Sequence, residues 1–386
     1  MSVLDEMHLR RNPRLTLGQK LLSINWGLVL LIALLAGFGL AMLYSAANAS
    51  FHPWASRQAM RFLFGLTVML AVALIDIRVW FRLSYPIYLL SLLLLVAVEL
   101  KGSVGMGAQR WIDLGVIQLQ PSEVMKVALI MALARYFHGR TLEDVGRVHY
   151  LIPPLFLAVA PAALVLRQPD LGTALMLLMG GGALFFAAGV RWWKFALAIG
   201  AVGAAVPLAW NSLRGYQQKR VLTFFDPESD PLGAGYHIMQ SKIALGSGGV
   251  LGKGYLQGSQ SHLNFLPEKQ TDFIFTMLAE ELGMVGGLIL LGLFFLVFVY
   301  GFAIALRSRN HYGRLLALGL TVNLFLYVFI NIAMVTGLIP VVGVPLPLVS
   351  YGGTAMLTVL FSLGLMVSVS IHRDVRIPRR GLRDES

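Results

Sequence analysis

Apolar positions run almost unbroken for about 20 residues at a time along this chain, punctuated by short basic clusters and Gly/Pro turns. A membrane-crossing helix needs about 20 such residues. The runs predict ten spans, at roughly 24–46, 59–77, 82–100, 121–138, 150–166, 171–190, 193–211, 272–306, 313–338 and 350–371. The eighth run exceeds the hydrocarbon thickness, so it tilts or begins or ends outside it. Between the seventh and eighth runs, residues 212–271 form the one long loop, rich in glycine and polar residues. Inside it, "YHIMQSKIALGSGGV" places apolar side chains at Ile238, Met239, Ile243, Leu245 and Val250, which predicts a short amphipathic helix ended by glycine. A smaller loop, "KGSVGMGAQRWIDLGVIQLQPSEVMK", feeds the fourth span. No internal repeat or low-complexity tract is evident.

Composition agrees with the pattern. The 386 residues are 57% hydrophobic and 13% charged, with a mean hydropathy of +0.73; soluble domains average about 25% charged. The fold class is an all-α polytopic membrane protein of about ten transmembrane helices.

The net charge of +12 does not point to nucleic acid, because the basic residues sit between apolar runs. Of 31 Lys and Arg, 19 fall on one side of the predicted spans, including Arg10, Arg78, Arg140, Arg191, Arg309 and Arg373, and 11 fall on the other. The richer side is the cytoplasm by the positive-inside rule, so both termini face inward and the long loop faces outward. The chain divides into a cytoplasmic tail (1–23), a single membrane domain (24–371) and a second cytoplasmic tail (372–386). A charged stretch before a full-length span argues against a cleavable signal. Absence of cysteine excludes a disulfide framework and cysteine-based metal or redox motifs.

A few polar groups stand out against this background. In "NFLPEKQTDFIFTMLAEELG", Asp272 lies at the boundary of the eighth span and Glu280 and Glu281 lie deeper. Asp272 reads either as a helix N-cap or as a general base at the outer surface. A helix starting there would put 272, 276 and 280 on one face; the two glutamates read as buried network partners of Asn323, Asn331 or a basic residue. Glu123 and Lys126, at i and i+3 in "QPSEVMK", read as an internal ion pair or as a charge-shaping part of a site. Arg110 beside Trp111 reads as an anion contact or an interfacial anchor. Asp170 in "RQPDLGTA" reads as an N-cap first and a substrate contact second. The Pro/Gly-rich "VVGVPLPLVSYGGTAM", which contains the binding candidate Ser350, is irregular backbone of the kind tolerated at membrane depth only where it is buried or lines a cavity.

Together "GAQRWIDLGVIQLQPSEVMK", "RQPDLGTAL", "FFDPESDPLGAGYHIMQSKIALGSGGVLGKG", "LPEKQTDFIFTMLAEELG" and "PLPLVSYGGT" resemble the SEDS family (shape, elongation, division and sporulation), in order and over almost the whole chain. The "INW" and "GAQRW" wording is similar to the elongation-type rather than the division-type members. The resemblance implies a peptidoglycan glycosyltransferase that polymerises lipid II into glycan strands at the outer face of the plasma (inner) membrane. It implies as partner a class B penicillin-binding protein, among other membrane proteins of the elongation complex. The family's essential aspartate falls on Asp272, and its Glu and Lys on Glu123 and Lys126; Gln270 stands where relatives often carry His. On this reading Asp272 removes the proton from the acceptor 4-hydroxyl, undecaprenyl pyrophosphate leaves with inversion, and Arg110 or Lys269 meets the pyrophosphate. No dedicated metal site is legible and no cofactor is required by the sequence; a divalent cation (Mg or Mn) could offset the charge of the pyrophosphate. Two rival readings are a lipid II flippase, with Glu280, Lys126 and Asn331 along a path, and a non-enzymatic scaffold.

Overall fold

The computed structural model describes residues 16–378, apart from 106–107, 114–117, 211–214, 216–217, 219–221, 224–233, 264 and 266–267. Most of both predicted tails, and most of residues 212–233 at the start of the long loop, lie outside the described residues.

A short helix, α1 (Leu17–Leu22), opens on a capping box in which Thr16 and Gln19 exchange backbone and side-chain bonds. Then come α2 (Trp26–Ala46), α3 (Trp54–Leu74) and α4 (Ile77–Lys101). Helices α3 and α4 begin about five residues before their apolar runs. For α4 the reason is local: the Asp76 carboxylate accepts from the backbone N–H of Arg78 at 2.8 Å and so starts the helix at Ile77, ahead of the long apolar run. The smaller loop folds into an antiparallel sheet, β1 (Ser103–Gly105), β2 (Ala108–Asp113) and β3 (Gln118–Leu119), in the order β1-β2-β3. Nothing in the sequence pattern had marked it.

The remaining helices are α5 (Pro121–His138), α6 (Leu142–Gly146), α7 (Ile152–Arg167), α8 (Leu171–Ala187) and α9 (Trp192–Trp210), followed by α10 (Ala234–Ser247) and α11 (Ser259–His262) in the long loop. Last come α12 (Ile274–Arg307), α13 (His311–Val335) and α14 (Gly353–Ile371). Seven of the described helical segments are long and apolar enough to cross a membrane, and α8 and α9 are shorter apolar helices. Helix α5 completes ten. It carries Glu123, Lys126, Arg135 and His138, yet nearly all of it is buried, because it packs against α4, α8 and α13 in the middle of the bundle. The ten-helix, multi-pass architecture is as the apolar runs predict.

The long eighth run is two helices rather than one tilted rod. Gly283 takes φ 67° and ψ −165° inside α12, a conformation open to glycine and strained for other residues. The loop 249–254 fills the break: Lys253 and Gly254 donate to the carbonyls of Glu280 and Glu281, both at 3.0 Å, while Met284 and Val285 donate back to Gly249 and Val250 at 3.0 and 3.1 Å. Backbone groups freed at depth are thereby satisfied. The amphipathic helix exists as α10, but its buried face is Ile238, Ser241 and Ala244; Met239, Ile243 and Val250 point outward.

Candidate active site

Asp272 stands in a turn, not in a helix. Thr271 and Phe273 donate their backbone N–H groups to the carbonyl of Glu268, and α12 starts only at Ile274, with Phe273 at its cap position and no side-chain cap. The N-cap reading and the 272/276/280 row therefore both fail, because the chain has not yet entered helix at Asp272.

Three successive carbonyls hold this turn, each by a different donor. Tyr351 N–H donates to Gln270 at 2.8 Å, Ser350 Oγ to Thr271 at 2.6 Å, and Asn331 Nδ2 to Asp272 at 2.9 Å. Ser350 Oγ also accepts from Leu346 N–H at 2.8 Å, and Asn331 also donates to Val344 at 2.7 Å. The irregular segment 339–352 is thus a buried clamp on the Asp272 turn, as irregular backbone at this depth must be. Gln58 of α3 closes it from behind, donating to the carbonyl of Ser350 at 2.8 Å.

The Asp272 carboxylate itself is left unspent: among the described residues no donor bonds to it, and Gly343 lies so close that an added Cβ would sit 3.3 Å from Oδ2. Burial, with the nearby charges of Glu268 and Asp170 and against that of Arg110, raises its pKa to about 7. A carboxylate that is partly accessible, unpaired and near neutral pKa is suited to accept a proton.

The other candidates fall into three pairs, with Lys269 apart from them. Arg110, on β2, fastens the turn before α8: it donates to the carbonyl of Gln168 at 3.2 Å and to that of Pro169, and approaches Asp170 at 3.9 Å. Asp170 caps α8, accepting from Thr173 N–H at 3.1 Å and Oγ1 at 2.8 Å. Glu123 and Lys126 form a sealed pair at 2.6 Å, with Lys126 Nζ 4.1 Å from the centre of the Tyr327 ring and Tyr327 Oη donating to Glu123. Tyr327 and Asn331 lie one turn apart on α13, so the ion pair and the Asp272 turn are braced by the same helix face.

Glu280 and Glu281 do not meet Asn323 or Asn331; they anchor the long loop. Glu280 accepts from Lys253 at 2.7 Å and Gln260 N–H at 2.9 Å; Glu281 accepts from Ser45 at 2.6 Å and Leu256 N–H at 3.2 Å and faces His262 at 3.1 Å. A basic partner was expected for one of them, and Lys253 is it. Lys269 is buried, and burial holds its pKa below the usual lysine range, with Glu281 opposing.

Sequence reasoning passed over Gln58 and Arg61. Arg61 lies over the Tyr351 ring at 4.9 Å and beside Gly353 at the start of α14, and its Nη1 is buried with no hydrogen-bond partner among the described residues. The available signal was their i, i+3 spacing at the start of the apolar second span.

A family model described as a cell cycle protein, uniting FtsW, RodA and SpoVE, matches residues 21–375. The chain belongs to the SEDS family. Among its SEDS relatives, the peptidoglycan glycosyltransferase MrdB of Escherichia coli is 44% identical over 351 residues, covering 90% of this chain and 93% of that protein. Of solved structures, one chain described under the structural coordination of polymerization and crosslinking by a peptidoglycan synthase complex superposes with a TM-score of 0.80 at 34% identity, covering 91% of this chain and 98% of its own. The rod shape determining protein RodA of Thermus thermophilus superposes with a TM-score of 0.70 at 30% identity, covering 92% and 98%. The fold and family expected from the motifs are therefore both established.

Proposed function

We propose that this chain is an elongation-type peptidoglycan glycosyltransferase that polymerises lipid II, with Asp272 as general base. The observation that carries the reading is the Asp272 turn, held by three fixed carbonyls while its carboxylate stays unspent and near neutral pKa. The name of the Escherichia coli relative supports the reaction.

Asp272 takes the proton from the acceptor sugar's 4-hydroxyl as that oxygen forms its bond to the donor's anomeric carbon; the bond to undecaprenyl pyrophosphate breaks on the opposite face. Configuration inverts in one displacement, with no covalent enzyme intermediate. The candidates for meeting the leaving pyrophosphate are Arg110, whose charge acts on Asp272 while it also holds two carbonyls, and Arg61, whose buried Nη1 has no partner among the described residues. The described residues contain no group of three His, Cys, Asp or Glu fit for a metal. A divalent cation would therefore be held mainly by the pyrophosphate, with at most one or two carboxylates, the mode usual for Mg.

The surplus of Lys and Arg on the terminal face supports an inner-membrane protein with both ends cytoplasmic and Asp272 facing outward. The synthase-complex neighbour supports a cross-linking penicillin-binding protein as partner. The test is polymerisation of lipid II by the chain with that partner, comparing wild type with Asp272→Asn. Loss of strands with the partner still co-purifying supports the assignment; equal strand formation overturns it.

A further inference from the structure

On the face that carries both termini, far along the bundle from Asp272, a cavity of about 460 Å³ opens between the end of α5, α6, the end of α8 and the start of α13. Its polar wall holds Arg140, Arg309 and Arg314 with His311, and its inner wall holds Leu315 and Leu318; among the described residues no acidic side chain lines it, and Asp144 on α6 is the nearby carboxylate that feels the Arg140 charge. Three arginines converging on one cavity repel one another, which is tolerated where an anion is to be received.

Arg140 is set for that task. Its guanidinium lies against the rings of Tyr136 at 5.1 Å and Tyr150 at 4.8 Å, which fixes its position while leaving its side-chain donors unused among the described residues. Arg314, on the first turn of α13, gives one N–H to the carbonyl of Ser308 at 3.4 Å. Arg309 is 77% exposed and pairs with Asp374 at 3.2 Å, so its charge is only partly met.

The depth of the cavity suggests its occupant. It lies where three spanning helices end or begin, the level of lipid headgroups. Neighbouring apolar side chains on the outer surface are bare: Phe186, just before the cavity wall, is 66% exposed and Leu306 is 78% exposed. An anion alone would need the arginines but not a passage to the acyl layer.

We infer that this cavity is a headgroup site for an acidic glycerophospholipid of the cytoplasmic leaflet, its phosphodiester held by Arg140 and Arg314 with Arg309 at the rim. The site is independent of the Asp272 chemistry. Basic pockets between spanning helices on this side are suited to such headgroups.

The test is native mass spectrometry of the full chain in neutral detergent, titrated with phosphatidylglycerol, with phosphatidylcholine, or with inorganic phosphate competing against phosphatidylglycerol. Wild type is expected to retain phosphatidylglycerol at least tenfold better than phosphatidylcholine. Combined Arg140→Gln, Arg309→Gln and Arg314→Gln should reduce that preference below threefold with gel-filtration behaviour unchanged. If that variant does not fold, the singles Arg140→Gln and Arg314→Gln should each lower the preference, and the triple lysine variant should keep part of it. Equal preference in wild type and variants overturns the site. Displacement of the lipid by inorganic phosphate at equal concentration also overturns it, in favour of a soluble-anion site.

Discussion

Asn331 donates to the carbonyl of Asp272 at 2.9 Å and to that of Val344 at 2.7 Å, so one amide on α13 fixes both sides of the candidate catalytic cleft. Its own oxygen is buried without a partner among the described residues. Asn331→Leu removes both bonds and leaves two carbonyls short of a donor, each worth about 1–3 kcal/mol when buried. Lipid II polymerisation is expected to fall at least tenfold through the maximal rate, with membrane insertion intact. A variant as active as wild type would show that the turn needs no such brace.

Activity is expected to rise with pH through about 7, the pKa to which burial lifts Asp272, because the base must be ionised to work. Initial rates between pH 5.5 and 8.5, with partner binding checked at each end, test this; a profile flat across the range overturns it.

The same shift has a consequence for stability. A carboxyl whose folded pKa is raised binds its proton more tightly in the native state, so stability is full below the unfolded value near 4 and declines as pH climbs to about 7. Asp272→Asn should therefore be more stable than wild type at pH 8, by roughly 2–4 kcal/mol once solvent access is allowed for, and no more stable at pH 4. Thermal unfolding in detergent at the two pH values measures it.

Glu123 and Lys126 form a sealed pair at 2.6 Å. Removing one member strands a buried charge and should destabilise by about 3–5 kcal/mol, whereas replacing both by apolar side chains of similar size recovers much of that loss. Lys126→Met alone, Glu123→Leu alone and the double variant, compared by unfolding midpoint, form the cycle. If the double variant is as unstable as the sum of the singles, the charges serve more than each other.

Lys253 bonds Glu280 at 2.7 Å and ties the long loop to the break in α12. Lys253→Met leaves Glu280 with fewer donors at a fully buried position, and the loop should be cut faster by a protease added to the protein in detergent. An unchanged cutting rate would place the hold in the backbone bonds around Gly283 instead.

The sequence by itself determined the solvent this protein folds in. Ten apolar runs, each long enough to cross hydrocarbon, leave helices as the only economical way to satisfy the backbone, and their number, order and approximate ends follow. The Asp170 cap was equally legible, because capping is a local relation between a side chain and an N–H three residues on. The status of Asp272, Glu280 and Glu281 was not. Whether Asp272 caps a helix or stands free in a turn depends on Ser350, Tyr351 and Asn331, which are 59 to 79 residues away. The break at Gly283 likewise becomes tolerable only when residues 249–254 arrive to meet its orphaned N–H and C=O groups. Arg61 gained its neighbours only when α3 packed on α14. Periodicity and capping act within a turn or two of chain and can be read from it; the bonds that leave one carboxylate unspent cross the bundle, and only packing brings those groups together.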